Sequence, residues 1–232
     1  MVGKQDGRMI ELEAADGHRP SAYCAIPEKA KGAIVIAHEV FGVSPHVKGL
    51  ADDYAANGFF TIVPALWDRV APGIELGPTE EERLKGAEIR KKVSWGNILD
   101  DIAAAHDVAR RAGKVGIVGY CLGGDIAWVG ACMQGFDAAV CYYGGAIDKL
   151  LMHTNTCPVM IHNGTADPWI KPEAQAAIDN SGKPMLTIHK YDGIGHAFVN
   201  DTLPHRYHAE TAKIARARTL AFFDKHLATK KR

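Results

Sequence analysis

The stretch KVGIVGYCLGGDIAW, residues 114–128, decides how the rest of the chain is read. Its apolar run 114–120 has the character of a buried strand, stops at Tyr120, and then sets Cys121 among Gly119, Gly123 and Gly124. A core strand has no need of three glycines around one thiol. Either this is a tight strand-to-helix turn with an inert cysteine, a residue that packs readily in cores, or the turn holds Cys121 out to react.

Similar runs recur on both sides of this one. The segments 32–38, 59–65, 138–144, 158–164 and 185–191 are short, apolar and rich in β-branched residues. Continuous apolarity predicts strands covered on both faces, as in a parallel sheet. Helical patterns alternate with them over roughly 46–57, 79–93, 97–112, 123–134, 171–180 and 205–227. RMIELEA and PSAYCAI, joined by DGHRP, predict a pair of N-terminal strands. This alternation predicts a doubly wound α/β fold, a mostly parallel central sheet with helices on both faces. No repeat or long linker divides the 232 residues, so one domain spanning 1–232 is expected.

Composition excludes several function classes. Twenty-seven basic residues balance twenty-seven acidic ones, which gives no net field for nucleic acid or an anionic membrane. The basic end Lys230-Lys231-Arg232 reads as a solvated terminus. Five scattered cysteines, without a C-x-x-C pair, predict reduced thiols and a cytoplasmic setting rather than a disulfide framework. The start of the chain has no apolar h-region, and no run approaches membrane-spanning length.

In a doubly wound sheet the reacting groups stand at the carboxyl ends of the strands. The run 32–38 leads into Glu39 and Val40, 114–120 into Cys121, 158–164 into Asp167, and 185–191 into His196. Nucleophile, acid and histidine in that chain order are the order of an α/β-hydrolase. The chemistry calls for each type. A thiol needs a base to become a thiolate. An imidazole can take that proton, and a carboxylate on the other ring nitrogen fixes its tautomer. The Leu122 N–H at the start of the following helix, with a second N–H from Val40, would stabilise an oxyanion.

Each residue also has a plainer reading. Asp167 before Pro168 suits an Asx turn, His196 suits a glycine-rich loop, and Glu39 suits a solvated charge at a strand end. Their coincidence at the ends of predicted parallel strands favours the catalytic reading. His205 and His208 would share a helical face, but no acidic or cysteine partner completes a metal site. GYCLGG is not G-x-G-x-x-G, so dinucleotide binding is not expected. Cys24, Cys132, Cys141 and Cys157 lie in apolar runs and read as packing thiols.

HEVFGV, GKVGIVGYCLGG, HNGTADPW and GIGHAF together resemble the successive motifs of the dienelactone hydrolase (carboxymethylenebutenolidase) family of α/β-hydrolases, across nearly the whole chain. The resemblance implies a Cys121–Asp167–His196 triad. It implies that Glu39 accepts the resting thiol's hydrogen, that Val40 and Leu122 form the oxyanion hole, and that Phe41 and Arg83 meet the substrate. The implied reaction is hydrolysis of a small lactone or enol ester through a thioester, with no metal or organic cofactor. A small-molecule substrate and a monomer or weak homodimer are the partners it suggests.

The chain departs from the family in three places. His38 stands where the best-known members have glutamine, and Ala65 where they have aspartate. Ala197, Phe198, Val199 and Asn200 replace Ser-Phe-Ala-Arg, so Asn200 takes the place of an arginine that would hold a substrate carboxylate. Arg69 or Arg206 could supply that charge instead. Rival readings are a general carboxylesterase of the same fold, a non-catalytic α/β-hydrolase-like binding protein, and a class I glutaminase. The last would require His-x-Glu where Ala197-Phe198 follows His196.

Overall fold

The computed structural model describes residues 7–228, so the basic terminus 230–232 lies outside the described residues. The chain forms two compact units: one runs to Val115 and takes up the chain again at Leu227, and the other is Gly116–His226.

In the first unit, β1 (Arg8–Glu11), β2 (Ser21–Ala25), β3 (Ala33–Ala37) and β4 (Phe60–Pro64) are ordered β1-β2-β4-β3. β1 pairs antiparallel with β2 and β2 with β4, while β4 pairs parallel with β3. The expected N-terminal strand pair is present. α1 (Pro45–Ala56) and α3 (Trp95–Ala109) pack on this sheet, and α2 (Glu80–Lys91) lies between them in sequence. Each starts where the sequence supplies a cap. The Ser44, Thr79 and Ser94 hydroxyls accept from the Val47, Glu82 and Asn97 N–H groups, using donors the first turn leaves orphaned.

The second unit holds β5 (Val115–Tyr120), β6 (Ala138–Tyr142), β7 (Val159–Gly164) and β8 (Leu186–Tyr191), all parallel and in that spatial order. β5, β6 and β7 are buried along their whole length, as their unbroken apolarity predicts. β8 differs: its residues are partly or fully exposed until Tyr191, because it ends the strand order. α4 (Leu122–Met133) packs on β6, followed by α5 (Pro172–Asp179) and α6 (Ala209–Leu227). α6 starts four residues later than the sequence predicts, so His205 and His208 do not share a helical face. His208 precedes the helix, and its Nδ1 accepts from the Thr211 N–H and lies 2.8 Å from the Thr211 hydroxyl.

Register fixes where the chemistry can gather. Tyr120 is opposite Tyr142, Tyr142 opposite His162, and Gly164 opposite Tyr191. With all four strands parallel, the residues that follow β5, β6, β7 and β8 leave the sheet at one edge. Those segments carry Cys121, Tyr143, Asp167 and His196.

Candidate active site

Cys121 sits at the tip of the turn between β5 and α4 with φ 55° and ψ −119°. A non-glycine residue with positive φ costs about 1–3 kcal/mol and persists only when its surroundings hold it. Here the Cys121 N–H donates to the Tyr142 carbonyl at 3.0 Å, and the Gly124 N–H donates to the Cys121 carbonyl at 2.8 Å. The glycines have steric reasons. A Cβ on Gly119 would lie 1.7 Å from the Gly123 carbonyl oxygen, and one on Gly124 2.7 Å from that of Tyr142. Only glycine lets α4 come this close to β5 and β6. Cys121 is half-buried and Leu122, the first residue of α4, directly follows it.

The acid and the base meet closely. His196 Nδ1 lies 2.7 Å from Asp167 Oδ2, with both side chains almost fully buried. The other carboxylate oxygen accepts the Trp169 N–H at 2.8 Å, so the predicted Asx turn and the predicted histidine partner are one residue. A carboxylate accepts, so Nδ1 carries the hydrogen and Nε2 keeps a lone pair. Nε2 is buried and has no hydrogen-bond partner among the described residues. An unsatisfied buried nitrogen is unfavourable, and a catalytic role is one reason for a fold to keep one.

Two rings that the sequence did not single out enclose this imidazole. Trp169 stands edge-on at 4.3 Å between ring centroids, and Tyr143 is tilted against it at 4.7 Å. Tyr143 has φ 40° and Ala197 has φ 61°, strain on either side of the histidine. These conformations carry no composition signal. Gly164 lets the histidine loop approach, since a Cβ there would be 2.1 Å from the Ile194 carbonyl oxygen. The Asn200 carboxamide oxygen accepts from the Thr202 N–H at 3.1 Å and its hydroxyl at 2.6 Å, bracing the loop beyond His196.

The four remaining cysteines are set apart by their surroundings. Burial pushes the Cys24 and Cys157 thiols up to about 12 and Cys132 to about 11, and raises Cys141 well above the ordinary range. A thiol so raised is almost entirely protonated near neutrality and is a poor nucleophile.

In the first unit, Glu39 is 4% exposed, which excludes the solvated-charge reading. Val40 is braced on its carbonyl side: the Trp67 indole N–H donates to Val40 O at 2.9 Å. The Leu76 N–H donates to the carbonyl of the buried Phe41. Gly42 has φ 76° and no room for a side chain, a Cβ meeting the Ile74 carbonyl oxygen at 2.4 Å. A Cβ on Gly86 of α2 would lie 2.3 Å from Val40 O, so that helix passes directly over the Glu39–Val40 segment. Arg83, one turn earlier on α2, makes two hydrogen bonds to Glu80. Arg69 is fully engaged, bonded to both Asp16 and Asp101. Arg206 lies 4.7 Å over the Trp169 ring, next to the histidine.

A strained cysteine turn and an Asp–His pair at one edge of a parallel sheet define an α/β-hydrolase. Solved structures agree: a dienelactone hydrolase from Anabaena variabilis superposes with a TM-score of 0.73 over 97% of this chain and 99% of its own, at 16% identity. The chain belongs to the dienelactone hydrolase family, whose model matches residues 21–227, and it is a hydrolase acting on lactone or ester bonds. A carboxymethylenebutenolidase of Pseudomonas putida is 34% identical over 223 residues, 92% of this chain and 94% of that protein. Carboxymethylenebutenolidase 1 of Cupriavidus pinatubonensis is 32% identical over 221 residues, covering 91% and 94%. Among the described residues no helix is long and apolar enough to cross a membrane, and no group of His, Cys, Asp and Glu could hold a metal ion.

Proposed function

We propose that this protein hydrolyses small lactones or enol esters through a thioester on Cys121. In the first half, His196 Nε2 takes the proton from Sγ as sulfur attacks the ester carbonyl. The carbonyl π electrons move to oxygen, and the resulting anion is stabilised by the Leu122 and Val40 N–H groups. The C–O bond then breaks, and His196 returns the proton to the departing oxygen. In the second half, His196 takes a proton from water, hydroxide adds to the thioester, and the C–S bond breaks. His196 returns that proton to the departing sulfur, so the acid leaves and both the thiol and the neutral imidazole are restored. Asp167 keeps the hydrogen on Nδ1 throughout and stabilises the imidazolium. Glu39, assigned from the family resemblance, accepts the thiol hydrogen in the resting enzyme. Arg83 and Phe41 are the proposed substrate contacts from α2 and the Val40 loop.

The observation that carries this reading is the buried imidazole, with Nδ1 bonded to Asp167 and Nε2 without a hydrogen-bond partner among the described residues. The strained cysteine at the same sheet edge supports it. Among the described residues no cysteine is joined in a disulfide, which supports a reducing, cytoplasmic setting. The family match over 21–227 supports one functional domain.

Rapid quenching during turnover of a panel of lactones and activated esters, followed by intact-mass and peptide analysis, tests the proposal. An acyl adduct on Cys121, absent in Cys121→Ala together with turnover, is expected. Turnover at the wild-type rate by Cys121→Ala overturns the thioester mechanism.

A further inference from the structure

We infer that His38 is a positioning residue for the oxyanion hole, setting the orientation of the peptide that joins Glu39 to Val40. The inference rests on the proposed role of the Val40 N–H as an oxyanion donor. A trans peptide is planar, so the Glu39 carbonyl and the Val40 N–H point in opposite directions from one rigid unit. Whatever holds the carbonyl aims the N–H.

His38 Nδ1 lies 2.6 Å from the Glu39 carbonyl oxygen. A carbonyl only accepts, so Nδ1 carries the hydrogen. On the opposite side of the ring, Nε2 lies 3.2 Å from the Leu66 N–H, which only donates. These two backbone partners select one neutral tautomer. The ring has no exposed surface and stands edge-on to Trp67 at 5.1 Å. Trp67 in turn donates its indole N–H to the Val40 carbonyl. The peptides on both sides of Val40 are therefore each anchored by a buried ring. The Gly42 N–H adds a longer contact, 3.3 Å, to the Glu39 carbonyl.

Such bracing matters because an oxyanion donor acts through preorganisation, its geometry being set before charge develops. A peptide free to rock loses alignment without losing its fold. His38 touches no reacting atom in this account. It acts through the peptide it holds, with neutral chemistry that a glutamine of suitable reach could reproduce by offering one donor and one acceptor.

The test compares wild type with His38→Leu and His38→Gln on a matched pair of substrates, one ester and its thionoester. Sulfur in place of the carbonyl oxygen fits and polarises poorly in an oxyanion hole, so an enzyme using one prefers the oxygen ester. For His38→Leu, kcat on the oxygen ester should fall about ten- to a hundredfold, part of the loss that follows removal of a whole donor. KM should change little, and the oxygen-over-sulfur preference should shrink. His38→Gln should recover most of both. A folded His38→Leu protein that keeps the wild-type preference overturns the inference, whether or not kcat falls, because general disruption slows both substrates alike. If His38→Leu does not fold, the wild-type 15N spectrum decides: a neutral ring protonated on Nδ1 supports the inference and one protonated on Nε2 overturns it. A wild-type enzyme with no oxygen preference would instead overturn the underlying oxyanion assignment.

Discussion

Trp169 stands edge-on to His196 with ring centroids 4.3 Å apart, while its own N–H holds the second oxygen of Asp167. One residue thus touches both the acid and the base. Trp169 is 42% exposed and carries Arg206 on its ring face. Trp169→Ala should leave the backbone bond to Asp167 in place but free the imidazole to swing. We expect kcat to fall by up to about a hundredfold, the order of effect of a small misplacement in a preorganised site, with the melting temperature little changed. Steady-state kinetics beside a thermal melt separates the two.

Asp167→Asn probes the tautomer. The carboxamide can still accept the Trp169 N–H, but its NH2 group turned to His196 would favour a bare Nδ1 and a protonated Nε2. The base then has no lone pair for the thiol. A loss of kcat of up to roughly ten-thousandfold is expected. Asp167→Asn and Cys121→Ala should combine poorly, because both stop the same step. A double variant showing the product of two large effects contradicts a shared step.

Selective labelling follows from the thiol environments. At mildly alkaline pH, iodoacetamide should reach Cys121 before Cys24, Cys132, Cys141 and Cys157, whose burial keeps them protonated. Activity should disappear in step with modification of Cys121. Peptide mapping that finds another cysteine modified first, with activity retained, contradicts the assignment.

Buried His38 predicts an acid limb of stability. Burial lowers its value to about 4 from an ordinary 6.5, against smaller raising contributions from the Glu39 carbonyl and Asp68. Between those values the unfolded chain binds a proton that the folded chain refuses. Stability contributed by neutral His38 is therefore complete above pH 6.5 and declines as pH falls toward 4. His162, enclosed by Tyr142, His189 and Tyr191 and also held well below its ordinary value, acts in the same direction. Urea unfolding from pH 7 to pH 4 should show a shallower decline for His38→Gln than for wild type. Equal slopes remove His38 from the account.

Recognition of a substrate carboxylate should be weak. Arg83 is paired with Glu80, Arg69 with two aspartates, and the Asn200 oxygen braces its own loop. A missing charge-assisted contact costs about 1.5–3 kcal/mol, or roughly ten- to a hundredfold. For one lactone compared as free acid and methyl ester, kcat/KM should favour the acid by less than about a hundredfold. A larger preference that disappears in Arg206→Ala would identify the cation on Trp169 as the replacement.

The β/α alternation and the strand-end residues were legible because buried strands and Gly-rich turns write themselves into composition. Cys121 directly follows β5, and Asp167 and His196 lie only a few residues beyond β7 and β8, which is why they stand out as candidates. What stayed hidden depends on long-range packing. Trp169 and Tyr143 look like ordinary loop aromatics until the strands bring them onto His196. His38 was visible as a departure from the family, but its two backbone partners are Glu39, its neighbour, and Leu66, on the far side of β4. The start of α6 was misplaced because residues 205–208 have helical composition, although the His208 N–H is bonded to the Phe198 carbonyl.

The silence of the other thiols has a consequence beyond catalysis. Their resistance is conferred by the fold and not by any covalent protection, so it vanishes at the moment of unfolding. A melted chain presents five ordinary cysteines, each free to cross-link with another molecule. In air, heat inactivation should therefore be a one-way process whose extent grows with protein concentration, and added reductant should restore reversibility.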